Sequence, residues 1–259
     1  MGKFIEVFMF FDLKKSILAA MVILLLPACS DKNQIPVMGD HVVFDVDIHE
    51  LSGLCFNADK TALIACGDKG DIKSVSFEGA ADSIYSLRSD MEGITIDPST
   101  DDLYMAIERQ QVIDRLAAPE YSDKVTAFAV EEAVSGKYEN DGLEAVEYYK
   151  DDILFVGSQF DANLWQYKTD GTELSKVSLS SFASEIAGLS YDPEADWLWV
   201  TDSETYRMFI CTVDGRLLAT YDVPFIKNAE SVCVDRERGC VWIGSDEKLS
   251  KLYKIEFRF

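Results

Sequence analysis

The feature that most constrains this chain is an internal repeat. Five copies of one pattern recur, each a short apolar strand, a turn rich in Asp, Asn, Pro or Gly, and a second apolar strand; they occupy 52–66, 92–107, 144–157, 187–201 and 230–244. With Gly53, Gly93, Ala145, Gly188 and Ser231 taken as equivalent points, the spacings are 40, 52, 43 and 43 residues. That is the period of a propeller blade.

After each hairpin come two more alternating stretches bounded by Gly and Asp, such as 71–77 with 82–87 and 207–213 with 217–222, which complete a four-stranded antiparallel blade. The last copy is one strand short, while Val42–Asp47 forms a spare strand before the first blade. An open ring would leave an unpaired edge, so the spare strand is expected to complete blade five. The predicted fold is therefore an all-β, five-bladed β-propeller. Small residues at the start of each first strand suit strands converging on a narrow axis, and Trp165, Trp197, Trp199 and Trp242 are expected to fill the spaces between blades. The extra length of the second copy is expected in an exposed loop near Ala117–Asp123.

The N-terminus reads as an address. Lys14 and Lys15 precede ten apolar residues, Ile17–Leu26, too few to span a bilayer, and then Pro27, Ala28 and Cys29. Leu26–Cys29 resembles the lipobox of bacterial lipoproteins, in which a small residue before Cys permits cleavage and the thiol takes a diacylglycerol. The reading is a signal peptide over 1–28, a tether on lipidated Cys29 over 29–40 and the propeller over 41–259. It places a monomer at the cell envelope, outside the cytoplasm and held to a membrane, expected to be the outer one.

The net charge is −22, and loss of Lys3, Lys14 and Lys15 with Glu6 and Asp12 takes it to −23. A surface of this sign cannot neutralise a phosphate backbone, which excludes nucleic acid as a partner. It suits either bound cations or plain solubility. Cys55, Cys66, Cys211, Cys233 and Cys240 show no CxxC spacing; they read as buried thiols, with a Cys233–Cys240 disulfide across a hairpin as the alternative.

The chemistry concentrates at one end of the ring. The residues opening the first strands are Ser52, Glu92, Glu144, Ala187 and Glu230, and those closing the second strands are Asp68, Glu108, Ser158, Asp202 and Ser245. Hairpin geometry puts both sets at the end opposite the turns, so six of the ten are carboxylates around one channel mouth, an acidic crown. Such crowding calls for compensation by a hard cation such as calcium, by protonation, or by Lys69, Arg88, Arg109 or Arg207. Asn140 and Asn228 are carbonyl donors just upstream. Glu92, Glu144 and Glu230 are the candidate metal ligands, and Asp68, Glu108, Arg109 and Asp202 the candidate ligand-binding residues. The other reading is that the acids accept hydrogen bonds between blades. His49 beside Glu50 is either a base at the crown or a surface histidine. No GxSxG, P-loop, HExxH or GxGxxG stretch is present.

The openings Glu50–Leu54, Asp90–Ile94, Gly142–Val146, Ile186–Leu189 and Ala229–Val232, with Ile107–Arg109 closing a second strand, resemble the SdiA-regulated (YjiK-like) propeller family across 41–259. Ala145 and Ser231 stand where Gly is usual. The resemblance implies an exported propeller related in fold to calcium-dependent lactonases and esterases, in which a Glu opening a first strand ligates calcium; Glu92, Glu144 and Glu230 match that position. Two functions remain open: a propeller binding a cation, small ligand or protein at the crown, and a calcium-dependent esterase- or lactonase-type hydrolase.

Overall fold

The computed structural model of the protein describes residues 34–86, 88–131 and 142–259. Cys29, the segment read as a signal peptide and Asn140 lie outside them. The described residues form twenty strands in five four-stranded antiparallel sheets. Blade one is β2 (Leu51–Phe56), β3 (Leu63–Gly67), β4 (Asp71–Val75) and β5 (Ala81–Ser86). Blade two is β6 (Met91–Ile96), β7 (Leu103–Ile107), β8 (Val112–Leu116) and β9 (Lys124–Ala129). Blade three is β10 (Leu143–Tyr148), β11 (Ile153–Ser158), β12 (Asn163–Lys168) and β13 (Glu173–Ser178). Blade four is β14 (Gly188–Asp192), β15 (Trp197–Asp202), β16 (Arg207–Thr212) and β17 (Leu217–Asp222). Blade five takes β18 (Ala229–Asp235), β19 (Cys240–Ser245) and β20 (Lys251–Arg258) from the C-terminus and β1 (Val37–Asp45) from the N-terminus.

The shared blade is thus formed, but its N-terminal strand starts at Val37 rather than Val42, inside the stretch read as a tether. A bulge between Met38 and His41 absorbs Gly39 and Asp40, so the strand runs through the end of that stretch. Because β1 is the outermost strand, its loss bares the edge of β20 without opening the inner ring. Deletion of 37–45 is expected to give a destabilised protein that self-associates through that edge, read by size-exclusion chromatography and thermal unfolding. A monomeric deletion protein that melts like the full chain would refute this.

All four tryptophans are buried between blades, where Trp242 stacks on Phe77 at 5.3 Å and Trp199 meets Phe257 edge-on at 5.2 Å. The innermost strands approach so closely that a β-carbon on Gly93 would lie 2.8 Å from the Val146 amide nitrogen, and one on Gly188 2.7 Å from the Glu230 carbonyl. This convergence is why the repeat demands small residues there. The five cysteines among the described residues are buried and free. In the β18–β19 ladder Cys233 faces Trp242 and Cys240 faces Asp235, so the hairpin disulfide is not formed. Residues 117–123 form a mostly exposed loop before β9, as expected. No helix among the described residues is long and apolar enough to cross a membrane.

Candidate functional site: the acidic crown

Ser52, Glu92, Glu144, Ala187 and Glu230 line one small cavity on the axis. The register explains how they get there. In blades one, two, three and five the ladder between the first two strands slips at the opening residue, leaving Ser52, Glu92, Glu144 and Glu230 each as the extra residue of a bulge. A bulge re-aims one side chain out of the pleat, here toward the mouth. Blade four pairs without a slip and carries Ala187, whose amide bonds to the Thr201 carbonyl at 3.0 Å. The four bulges coincide with the four polar openings.

The closing residues divide. Asp68 accepts a hydrogen bond from the Ser52 hydroxyl at 3.2 Å. The Glu108 carboxylate accepts a long one from the Gly142 amide at 3.5 Å. One carboxylate oxygen each of Asp68, Asp90 and Glu92 lie within 4.8 Å of one another, a group of three potential ligands that adds Asp90 to the expected set and leaves out Glu144 and Glu230. Asp202 does not join them: it is fully buried and accepts from the Ser184 and Thr205 amides at 2.7 and 3.0 Å, holding the loops around it. Ser158 and Ser245 bond to local backbone at Phe160 and Lys251.

Two ion pairs stand at the rim, Arg109 with Asp90 at 2.7 Å and Lys69 with Glu50 at 2.8 Å. His49 is drawn into the second, its Nδ1 2.7 Å from Glu50, which makes it part of a surface ion cluster. Arg207 pairs with Asp222 across the outer strands β16 and β17, and Arg88 is exposed. Asn228 and Asp246 tie the mouth of blade five, the Asn228 carbonyl accepting from the Asp246 amide at 3.0 Å.

Glu185 was not legible as a site residue. It lies two positions before Ala187 and is buried, accepting hydrogen bonds from the Ser203 and Glu204 amides at 2.9 and 3.0 Å and from the Gln159 side chain at 3.0 Å. Blade four thus supplies its acid from the preceding loop, already satisfied by protein donors.

The crown's electrostatics follow from burial first and like charge second. Burial, then Asp68, Glu108 and Asp90, pushes Glu92 up to about 9. Burial, then Glu185, pushes Glu230 up to about 8. Burial, then Glu92 and Glu230, drives Glu144 well above the carboxyl range. Burial also pushes Glu108 up to about 7 and Asp246 up to about 6, with Asp68 raised for the same reason. Burial and mutual repulsion thus favour the protonated carboxyls at the crown near neutrality. The axial cavity has a volume of about 10 Å³, room for one water-sized occupant.

The fold and this mouth define a five-bladed β-propeller with an acidic axial site. Residues 161–258 match the SdiA-regulated family, the family that the blade openings resemble. No curated protein matches the sequence. Among solved structures, the chain resembles a component of the nidogen/laminin complex with TM-score 0.56 and 13% identity, covering 85% of this chain and 99% of the other. It resembles a gluconolactonase from Xanthomonas campestris with TM-score 0.54 and 13% identity, over 85% and 91% of the two chains. Virginiamycin B lyase from Staphylococcus aureus follows with TM-score 0.51 and 16% identity, over 80% of this chain and 66% of the other. At these identities the likeness is one of fold.

Proposed function

We propose that this chain is a lipid-anchored propeller of the cell envelope that binds calcium, or a cation of similar hardness, at its crown. The observation that carries the reading is the approach of the Asp68, Asp90 and Glu92 oxygens to within 4.8 Å. Oxygens sharing one calcium at about 2.3–2.6 Å stand no more than about 5.2 Å apart, a limit these three meet. The donors are hard carboxylates with the Ser52 hydroxyl beside them, and the crown contains more buried negative charge than Arg109 and Lys69 offset. A calcium-binding isotherm at pH 8 tests this. One ion is expected per chain, with affinity lowered at least about tenfold by Glu92→Gln and less by Glu144→Gln or Glu230→Gln. Equal losses in all three would move the site to the centre of the ring; no binding would end the reading.

A hydrolase reading is supported by Glu108, a carboxyl near neutrality beside the cluster and so placed to serve as a general base. Lactone and ester turnover that requires calcium and is lost in Glu108→Gln would establish it. The small axial cavity and the engagement of His49 favour binding.

Chain direction adds an orientation to the anchor. The strands β18, β19 and β20 run away from the crown, back and away again, so β1, antiparallel to β20, begins at the opposite end. From Cys29 to Val37 is eight residue steps, a reach of at most about 29 Å. On this reading a lipidated Cys29 would tether the far end of the propeller and leave the crown on the side away from the bilayer. Cys29→Ser is expected to move the protein from the membrane to the soluble fraction. A fluorophore at Asp170→Cys should be quenched by a headgroup quencher more than one at Lys248→Cys, and the reverse order would overturn the orientation.

A further inference from the structure

The larger cavity on the axis is not at the crown. At the far mouth, where the same five inner strands end, a cavity of about 270 Å³ opens among Phe56, Tyr148, Tyr149, Tyr191, Glu147 and Lys60. The buried aliphatics Leu54, Ile94, Val146, Leu189 and Val232, two residues past the opening positions, stand between it and the crown. Its volume is just below the range of roughly 300–1,000 Å³ that accepts drug-sized ligands.

Glu147 is the anomaly. The equivalent places in the other four blades hold Cys55, Thr95, Ser190 and Cys233, all small and neutral, so packing at this level does not call for a long acid. Its Oε2 accepts from the Thr95 hydroxyl at 3.0 Å and its Oε1 from the Tyr191 amide at 2.8 Å. These donors, with the Tyr148 amide as a third, are all neutral, and a carboxylate has about four acceptor positions. The aromatic wall is preset: the Tyr149 and Tyr191 rings meet edge-to-face at 4.7 Å, and both hydroxyls donate to Asp196 Oδ1, at 3.2 and 2.7 Å. Lys60 stands at the rim, 5.8 Å above the Phe56 ring.

We infer that this mouth is a binding site for a small organic amine with an apolar or aromatic body, its ammonium taken by Glu147 and its body lying among Phe56, Tyr148, Tyr149 and Tyr191. A carboxylate without a cationic partner, aromatic faces and an apolar wall are the elements that recognise alkylammonium groups. The chain's charge of −22 draws cations and repels the anions that Lys60 alone would attract.

The full chain is titrated calorimetrically with 2-phenylethylamine, 2-phenylethanol and phenylacetate. The amine is expected to bind at least about tenfold more tightly than the alcohol, and the acid more weakly than either. Glu147→Gln should bring amine and alcohol to equal affinity, while Glu92→Gln at the crown changes neither. Should Glu147→Gln not fold, the pH dependence of the unmodified chain decides, because burial pushes Glu147 up to about 7. The facing Cys55 and Cys233 thiols and the Tyr148 and Tyr191 phenols are raised further above neutrality, Tyr149 is a phenol, and Lys60 is the facing cation. Amine affinity should rise from pH 6 to pH 8 and alcohol affinity stay flat. Equal binding of amine and alcohol, no binding of the amine, or an amine affinity indifferent to pH would overturn the assignment.

Discussion

Freed of divalent cations by a chelator, the protein will lose stability as the pH is raised from about 5 to about 9. The reason lies in Glu92 and Glu230, raised from an ordinary 4.5 to about 9 and about 8, with Glu144 displaced in the same direction. Over this window the unfolded chain has released protons that the folded state still holds, so each rise in pH penalises folding. The contribution is complete below the ordinary carboxyl range and is lost as the pH passes through the folded values. Each such group adds a slope of about 1.4 kcal/mol per pH unit where its two states differ by a full proton. Urea unfolding at pH 5, 7 and 9 in chelator reads this directly. With millimolar calcium the slope should flatten, since the ion replaces the protons as the source of compensation. A stability that rises toward pH 9 in chelator would mean that the crown is not a set of crowded, uncompensated acids.

The second large effect concerns the axis itself. Gly93→Val is expected to destabilise the domain by at least about 3 kcal/mol or to prevent folding, because the new β-carbon has no direction in which to give. It would meet the Val146 nitrogen at 2.8 Å, the Ala145 Cα at 2.9 Å and the Glu144 carbonyl at 2.9 Å, all backbone of the neighbouring blade. Gly39→Ala is the control, since its nearest contacts would be ordinary at 3.4 Å on the outer strand, and a change within about 1 kcal/mol is expected. Comparable losses from the two substitutions would show that the tight approach of the inner strands is not what the repeat protects.

The blades were legible because a propeller writes its period into the chain: the turn residues and the small residue at Gly53, Gly93, Ala145, Gly188 and Ser231 recur whether or not the strands between them vary. The meeting of Glu92, Glu144 and Glu230 followed from that period alone. What was not legible depends on register. Asp202 looks equivalent to Asp68, yet blade four pairs without a bulge and spends that carboxylate on the Ser184 and Thr205 amides. Glu185 escaped because it substitutes from two residues upstream. The start of β1 was hidden because a strand interrupted by Gly39 and Asp40 shows no alternation until a bulge accommodates them. The far mouth could not be seen at all, since Phe56, Glu147 and Tyr191 come together only when three separate blades close the ring.

Thermal unfolding at pH 8 with and without calcium decides whether the crown holds the proposed cation. A ligand that binds the folded state at about a hundred times its dissociation constant stabilises by about 2.7 kcal/mol, which for a domain of this size raises the midpoint by roughly 5–10 °C. The full chain should show that rise in millimolar calcium and Glu92→Gln should lose most of it. An unchanged midpoint, or the same rise in both proteins, would mean that Glu92 and its neighbours hold no calcium.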